Sequence, residues 1–313
     1  MDRRITIIGG GNVGATVAHE IARQDLAKEV VIIDLKEGIA EGKALDIWQT
    51  SSILHFDSRV VGATNDYERT RNSSVVVIAA GLPRKPGMSR DDLIKTNAVI
   101  IKEVTENAVR YSPDAIFVVV SNPLDTMTYA AYLAANTNPK KVFGMAGLLD
   151  SGRYKAFLAE ALNISPQNIH GLILGSHGDN MVPLKRYTSV GSIPVTELLP
   201  TDVLDKIIER TRKGGGELVD LMGTSAWYAP GAAVASMVQA IIRDQHRIFP
   251  VCAFLDGEYG LSDIYIGVPC IVGKNGIEKI ITLNLNKEEM GLLAESAKSI
   301  RITQDILDQM NLF

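Results

Sequence analysis

The chain has 313 residues, of which 46% are hydrophobic and 22% charged, and a formal net charge of −4. This is the make-up of a globular protein too long for one small core, so two domains or one large one are expected. Mild acidity without a block of like charges points away from nucleic acid and anionic membranes, so cations that matter must act locally, inside a site.

The chain opens with ITIIGGGNVGATVAHEIARQDLAKEVVIID over residues 5–34. An apolar run meets Gly9, Gly11 and Gly14, an amphipathic pattern follows (Val13, Val17, Ile21), and a second apolar run ends in Asp34. Gly9 permits a tight turn out of the strand, Gly11 lets a backbone approach a pyrophosphate, and Gly14 lets the helix lie on the sheet. The amides and dipole at that helix start favour a phosphate. Asp34, twenty residues past Gly14, is placed to bond the ribose hydroxyls of an adenosine. A carboxylate there would repel a 2′-phosphate, which favours NAD over NADP. Gly9, Gly10, Gly11, Asn12, Val13, Gly14 and Asp34 are therefore expected to bind the cofactor.

Further on, the pattern predicts a helix over residues 38–48 and strands over 59–62 and 74–80. A helix over 93–109, a strand over 115–120, a helix over 124–135 and a short strand over 141–144 follow. Strands that alternate with helices predict a Rossmann-type doubly wound parallel sheet over residues 1–145. Over 146–313 the pattern changes to an α+β substrate domain. Helices are expected over 151–162, 204–221, 231–243 and 288–308, and strands over 170–175, 182–190, 250–255 and 265–272. A crevice between the halves is the default ligand site. Cys252 and Cys270 lie in apolar, strand-like surroundings without metal-ligand spacing, which predicts reduced, buried thiols in a cytoplasmic protein. Four residues precede the first strand, from which no signal peptide is expected, and the longest apolar runs are far short of a membrane span.

Three loops carry polar groups that packing does not explain. GLPRKPGMSRDD over residues 81–92 follows a strand of the parallel sheet and should hang over the cofactor as a lid, carrying Arg84 and Arg90 to a ligand. SNPLD over 121–125 places Asn122 where its amide could bond substrate or cofactor, and Asn97 falls at a similar edge. The third is a pair, DSGR over 150–153 and GSHGD over 175–179. Of the histidines, His177 alone sits in a glycine-flanked polar turn after an apolar strand, suited to carrying a proton near neutral pH. A carboxylate partner would fix its tautomer, with Asp150 and Asp179 both open on spacing.

Taken together, GGGNVG, Asp34, AAGLPRKPGMSRDDL, SNPLD, GLLDSGRYK and GSHGD resemble the NAD-dependent 2-hydroxyacid dehydrogenases of the lactate/malate dehydrogenase family, from first strand to last helix. The resemblance implies His177 as proton donor and acceptor with Asp150 as its partner. It implies Arg153 on the substrate carboxylate, Arg90 polarising the carbonyl and Asn122 on the substrate oxygen. Asn97, Val120, Ser121 and Asn122 would touch NAD, and no metal is needed.

Lactate-type members of that family generally carry glutamine where Arg84 stands, and malate-type members carry arginine. A guanidinium at the distal end of the substrate suits a second carboxylate, as in malate and oxaloacetate, and pyruvate would leave it buried without a partner. The segment TSAWYAPG over 224–231 also resembles the malate-specific branch whose overall sequence is lactate-dehydrogenase-like, with Trp227 where tyrosine is more usual. Lactate-type members have a threonine near Ala226, where a small residue leaves more room. That branch implies a homotetramer or, failing that, a homodimer. The alternatives are a lactate or broader 2-hydroxyacid dehydrogenase, an NAD-dependent glycosidase with a Cys/His-held metal, and a non-catalytic NAD sensor.

Overall fold

The computed structural model describes residues 3–83 and 89–313. The first half runs β1 (Arg4–Ile8), α1 (Asn12–Arg23), β2 (Glu29–Asp34), α2 (Ile39–Gln49), the one-turn α3 (Ser51–Leu54) and β3 (Arg59–Thr64). It continues with β4 (Ser73–Ile78), α4 (Arg90–Tyr111), β5 (Ile116–Val119), α5 (Leu124–Ala135) and β6 (Val142–Gly144). These strands are parallel, in the order β3-β2-β1-β4-β5-β6, which is the doubly wound order expected from the alternation. The strands read as unbroken apolar runs because both faces are covered. In β4, Val75 and Val77 enter one core cluster, and Val76 and Ile78 enter the other.

The second half contains α6 (Gly147–Leu162), β7 (Ile169–His170), β8 (Ile173–Gly175), β9 (Met181–Pro183), β10 (Ser189–Val190), β11 (Ile193–Pro194) and α7 (Val195–Leu198). Then come α8 (Thr201–Met222), α9 (Tyr228–Ile242), β12 (Arg247–Asp256), β13 (Ser262–Gly273), β14 (Gly276–Ile280) and α10 (Lys287–Asp308). The main sheet does not stop at β6. It carries on through β12, β13, β8 and β9, all joined antiparallel. Cys252 pairs with Gly144 at the seam between the parallel and antiparallel parts.

Several boundaries differ from the sequence expectation. The strand pair expected over 170–175 and 182–190 is broken into pieces that serve two sheets: β8 pairs β9 in the large one, while β7 pairs β10 in a three-stranded one. The Leu184 N–H bonds the Leu172 carbonyl, after which a tight turn over residues 185–187, closed by the Thr188 hydroxyl on the Leu184 carbonyl, redirects the chain. Helix α6 starts at Gly147 instead of 151, so Asp150 and Arg153 stand in its first turns and not in a loop. Helix α4 starts at Arg90, where Ser89 accepts the Asp92 N–H and the Asp92 carboxylate accepts the Ser89 N–H. This reciprocal cap was present in the sequence as Ser-x-x-Asp, and it resembles the box that starts many helices. Strand β14 was not expected. Among the described residues no helix is long and apolar enough to cross a membrane.

Candidate active site

The glycine turn after β1 is built as its spacing requires. Gly9 has φ +106°, and a Cβ there would lie 2.7 Å from the Ala79 backbone. A Cβ on Gly14 would lie 1.9 Å from the Gly9 carbonyl oxygen, so only glycine lets α1 meet the turn. Gly11 is different: a Cβ there meets no protein atom within 4 Å, so packing does not demand the glycine. The first turn of α1 has neither a side-chain cap nor an acidic residue, which leaves its amides for an anion. Asn12 is exposed at the helix start, with the Lys43 ammonium against its side-chain oxygen. The Asp34 carboxylate takes the Gly10 N–H at 2.7 Å and the Lys36 N–H at 2.9 Å, and an ionised carboxylate keeps lone pairs for further donors. Beside it lies a mainly apolar cavity of about 270 Å3, lined by Gly9, Gly11, Asp34, Tyr67, Leu82 and Val104. A nucleoside fits that lining, with the acid at its rim. These features agree with an NAD site.

Past the sheet edge, Val13 leads into a second cavity of about 350 Å3, whose walls include Asn122, Asp150, Arg153, His177 and Ala226. The His177 Nδ1 lies 2.8 Å from the Asp150 Oδ2. Asp150 is 1% exposed, and His177 keeps 15% of its side chain open to the cavity. Of the two carboxylates open on spacing, it is Asp150 that meets His177; Asp179 is exposed. Burial alone would depress the His177 imidazole, but the charge and hydrogen bond of Asp150 overcome it and raise its pKa above the ordinary value of 6.5. Bonding through Nδ1 leaves Nε2 for a reacting group.

Helix α6 explains the meeting. The Ser151 hydroxyl accepts the Ile173 N–H at 3.1 Å, and a Cβ on Gly147 would touch the Ile173 carbonyl, so the helix start is pinned against β8. Gly175 then turns the chain with φ +84°, and the Ser296 hydroxyl of α10 receives the Ser176 N–H at 2.7 Å. Arg153 sits one turn beyond Asp150, its Nη1 3.3 Å from the Asp150 Oδ1. Its buried Nε has no protein partner among the described residues, as suits a guanidinium built to receive a ligand. The stem of Arg153 lies along α8, where a Cβ on Gly214 would press within 3.2 Å of its Cδ. The run Gly214-Gly215-Gly216 inside a helix was the signal for this groove, and it went unread in the sequence.

The remaining expected residues gather on the adjoining loops. Val120 and Ser121 are buried at the end of β5, and Ser121 bonds the Ala80 carbonyl. Asn122 is exposed toward the second cavity, one residue short of the Pro123 cap of α5. Asn97 is buried on α4, not exposed. Its amide takes the Leu82 N–H at 2.8 Å and donates to the Leu82 carbonyl at 3.2 Å and the Asn122 carbonyl at 2.7 Å, so it braces Leu82 against the Asn122 loop. Arg84 lies outside the described residues. Arg90 is the first residue of α4. Sequence reasoning missed Asp125, which is buried and takes the His177 backbone N–H on Oδ2 at 3.1 Å. Cys252 and Cys270 are free, buried thiols.

Two family models match: "lactate/malate dehydrogenase, NAD binding domain" over residues 3–144, and "lactate/malate dehydrogenase, alpha/beta C-terminal domain" over residues 148–308. A malate dehydrogenase of Cytophaga hutchinsonii is 59% identical over 305 residues, covering 97% of this chain and 98% of that one. The solved malate dehydrogenase of Salinibacter ruber is 51% identical with a TM-score of 0.94, covering 98% of each chain. The lactate dehydrogenase of Cryptosporidium parvum, solved with lactic acid and nicotinamide adenine dinucleotide, also has a TM-score of 0.94 over 98% of each chain, at 36% identity. Fold, paired cavities and sequence agree, and the chain belongs to the lactate/malate dehydrogenase family.

Proposed function

We propose that this chain is an NAD-dependent malate dehydrogenase that interconverts (S)-malate and oxaloacetate, with His177 as its proton carrier. The observation that carries the reading is the 2.8 Å contact between His177 and a fully buried Asp150, in a cavity shared with Arg153 and Asn122. The glycine turn and Asp34 would hold NAD, whose nicotinamide would supply or accept the hydride. The chain does the rest. Arg153 holds one substrate carboxylate and Asn122 the reacting oxygen, while Arg90 polarises the carbonyl. In reduction, His177 gives its proton to the carbonyl oxygen as that oxygen becomes a hydroxyl, and Asp150 keeps the imidazole oriented. In oxidation, neutral His177 takes the hydroxyl proton back. Asn97, Val120, Ser121 and Asn122 would touch NAD.

Specificity for the four-carbon acid rests on Arg84 as a clamp for the second carboxylate. The malate dehydrogenases of Cytophaga hutchinsonii and Salinibacter ruber, at 59% and 53% identity, support the substrate, whereas at 36% identity malate and lactate dehydrogenases of Cryptosporidium parvum are equally similar. Leaving one charge of a buried pair alone costs on the order of 3–5 kcal/mol, or roughly two to four powers of ten in rate. Initial NADH oxidation should therefore favour oxaloacetate over pyruvate by about a hundredfold or more, and Arg84→Gln should erase most of that margin. Comparable rates with the two acids would refute the clamp. His177→Asn should lower turnover by about two to four powers of ten while NADH still binds.

The division at residues 145 and 146 separates an NAD-binding part, which alone lines the first cavity, from a substrate part, whose Asp150, Arg153 and His177 face Val13, Val120 and Asn122 of the first part across the second cavity. A homotetramer, with a homodimer as the alternative, is supported by apolar side chains left open on α2 and α3: Leu45 at 54%, Ile53 at 72% and Leu54 at 41% exposure. A monomer mass in light scattering would dismiss both. The two free, buried thiols support a reducing compartment, the cytoplasm.

A further inference from the structure

The dyad of His177 and Asp150 has a second carboxylate behind it. Asp125 stands in the first turn of α5, buried, with Oδ2 on the His177 backbone N–H at 3.1 Å. Its Oδ1 is buried and makes no well-formed hydrogen bond among the described residues, the weakly donating Cys252 thiol being the group that stands against the carboxylate. A half-satisfied buried carboxylate is costly to keep in a fold for packing alone, and an amide would make the same bond to the backbone at less cost.

We propose that Asp125 is a positioning residue for the proton carrier: its carboxylate anchors the His177 turn through the backbone and sets a second negative charge beside the imidazolium. The inference rests on His177 being the proton carrier.

The groups that face this pair come from four elements. Asp150 and Arg153 approach from α6, His177 from the turn after β8, Cys252 from β12, and Asp125 itself from α5, while Arg212 of α8 and Asp179 of the His177 turn, one of each sign, line the same cavity. With both acids ionised and His177 protonated, Asp125 and Asp150 balance His177 and Arg153, and the buried cluster is neutral. Remove Asp125 and the cluster carries a net positive charge, which disfavours the protonated imidazole. Burial pushes the Asp125 carboxyl up to about 6 against the opposing pull of Cys252 and His177, and because the two groups interact, the ionisation of each bears on the other.

Asp125→Asn separates the two roles, because the amide oxygen still accepts the His177 N–H while the charge is gone. The kcat/KM for oxaloacetate, followed from pH 5 to 9, should show its limiting ionisation moved to lower pH by up to about one unit. The His177 imidazole, followed by nitrogen-15 NMR and assigned with His177→Asn, should move likewise. If neither moves in the folded variant, Asp125 is structural and the inference is overturned. Should the variant not fold, the wild-type NMR titration decides. Two inflections in the His177 signal, the lower near pH 6, support the coupling, and a single inflection overturns it. Near-normal turnover in His177→Asn would sink the proton-carrier reading instead, while the NMR shift in Asp125→Asn would still report the charge.

Discussion

Replacing Asp150 by asparagine tests the dyad most directly. The carboxylate is 1% exposed and its Oδ2 is 2.8 Å from the His177 Nδ1, so the side chain fits without a new cavity and the amide oxygen can still accept the Nδ1–H. What disappears is the charge that overcomes burial. An opposite charge at this range holds a group's pKa about 1–3 units from where it would otherwise stand, worth about 1.4–4 kcal/mol. The sign follows from the direction: His177 is raised above 6.5 in the native enzyme, and without Asp150 burial pulls it below. Reduction of oxaloacetate needs the protonated form, so its kcat/KM falls as pH rises through the His177 ionisation. At a pH above the native His177 ionisation the protonated fraction of the variant should be about ten- to a thousandfold lower. The imidazolium that remains is a stronger acid and returns part of the loss, which leaves a fall of about ten- to a hundredfold in kcat/KM. Malate oxidation at the same pH should fall by the same factor when cofactor binding is unchanged, since the overall equilibrium is fixed. The assay is kcat/KM in both directions from pH 5 to 9, with NADH affinity by fluorescence. A fall of equal size at every pH, with the limiting ionisation unmoved, would refute the electrostatic account.

Two glycines give further tests. Gly14→Ala places a Cβ 1.9 Å from the Gly9 carbonyl oxygen, a backbone atom that cannot step aside, and should destabilise the fold by about 1–3 kcal/mol or more with weakened NADH binding. An unchanged denaturation midpoint would show that the turn is softer than its geometry implies. Gly214→Ala should act in opposite directions on stability and binding. An interior helix position gains up to about 1 kcal/mol from alanine, while the Cβ crowds Arg153 from 3.2 Å and should raise KM for oxaloacetate several-fold with NADH affinity unchanged. An unchanged KM would detach α8 from Arg153.

Legibility followed the range of the interactions. The parallel half was readable because each βα unit carries its own signals: apolar runs for strands covered on both faces, and glycines where the backbone must turn or touch. The fate of residues 170–190 was not, because two short stretches alternate between two sheets, and the choice is made by the Leu184–Leu172 bond and the turn after it. Asp150 and Arg153 were found as residues but placed in a loop. The contact that extends α6 back to Gly147 is with Ile173 on a distant strand. Asn97 was read as an edge residue, yet it is buried, since its three partners come from loops 15 and 25 residues away. Asp125 was hidden most thoroughly. In sequence it is the last letter of SNPLD, an acid in a first helical turn, which is an ordinary preference of helices.

What makes Asp125 more than that is the seam in the sheet. Where β6 meets β12 the sheet passes from parallel to antiparallel, and Gly144 and Cys252 pair across the join. A Cβ on Gly144 would lie 2.5 Å from the Thr128 hydroxyl and 3.1 Å from the Cys252 Cβ, so α5 is seated hard against the join. That brings the α5 start, which belongs to the cofactor half, beneath the His177 turn, which belongs to the substrate half. Burial pushes the Cys252 thiol well above its ordinary range, so it stays a neutral neighbour that leaves Asp125 the only acid on this side of the histidine among the groups that face it. His177 is thus held from both halves at once, by Asp150 on its ring and by Asp125 on its backbone. A hinge at this place would move the two carboxylates relative to each other and change the charge around the imidazole. A continuous sheet prevents that.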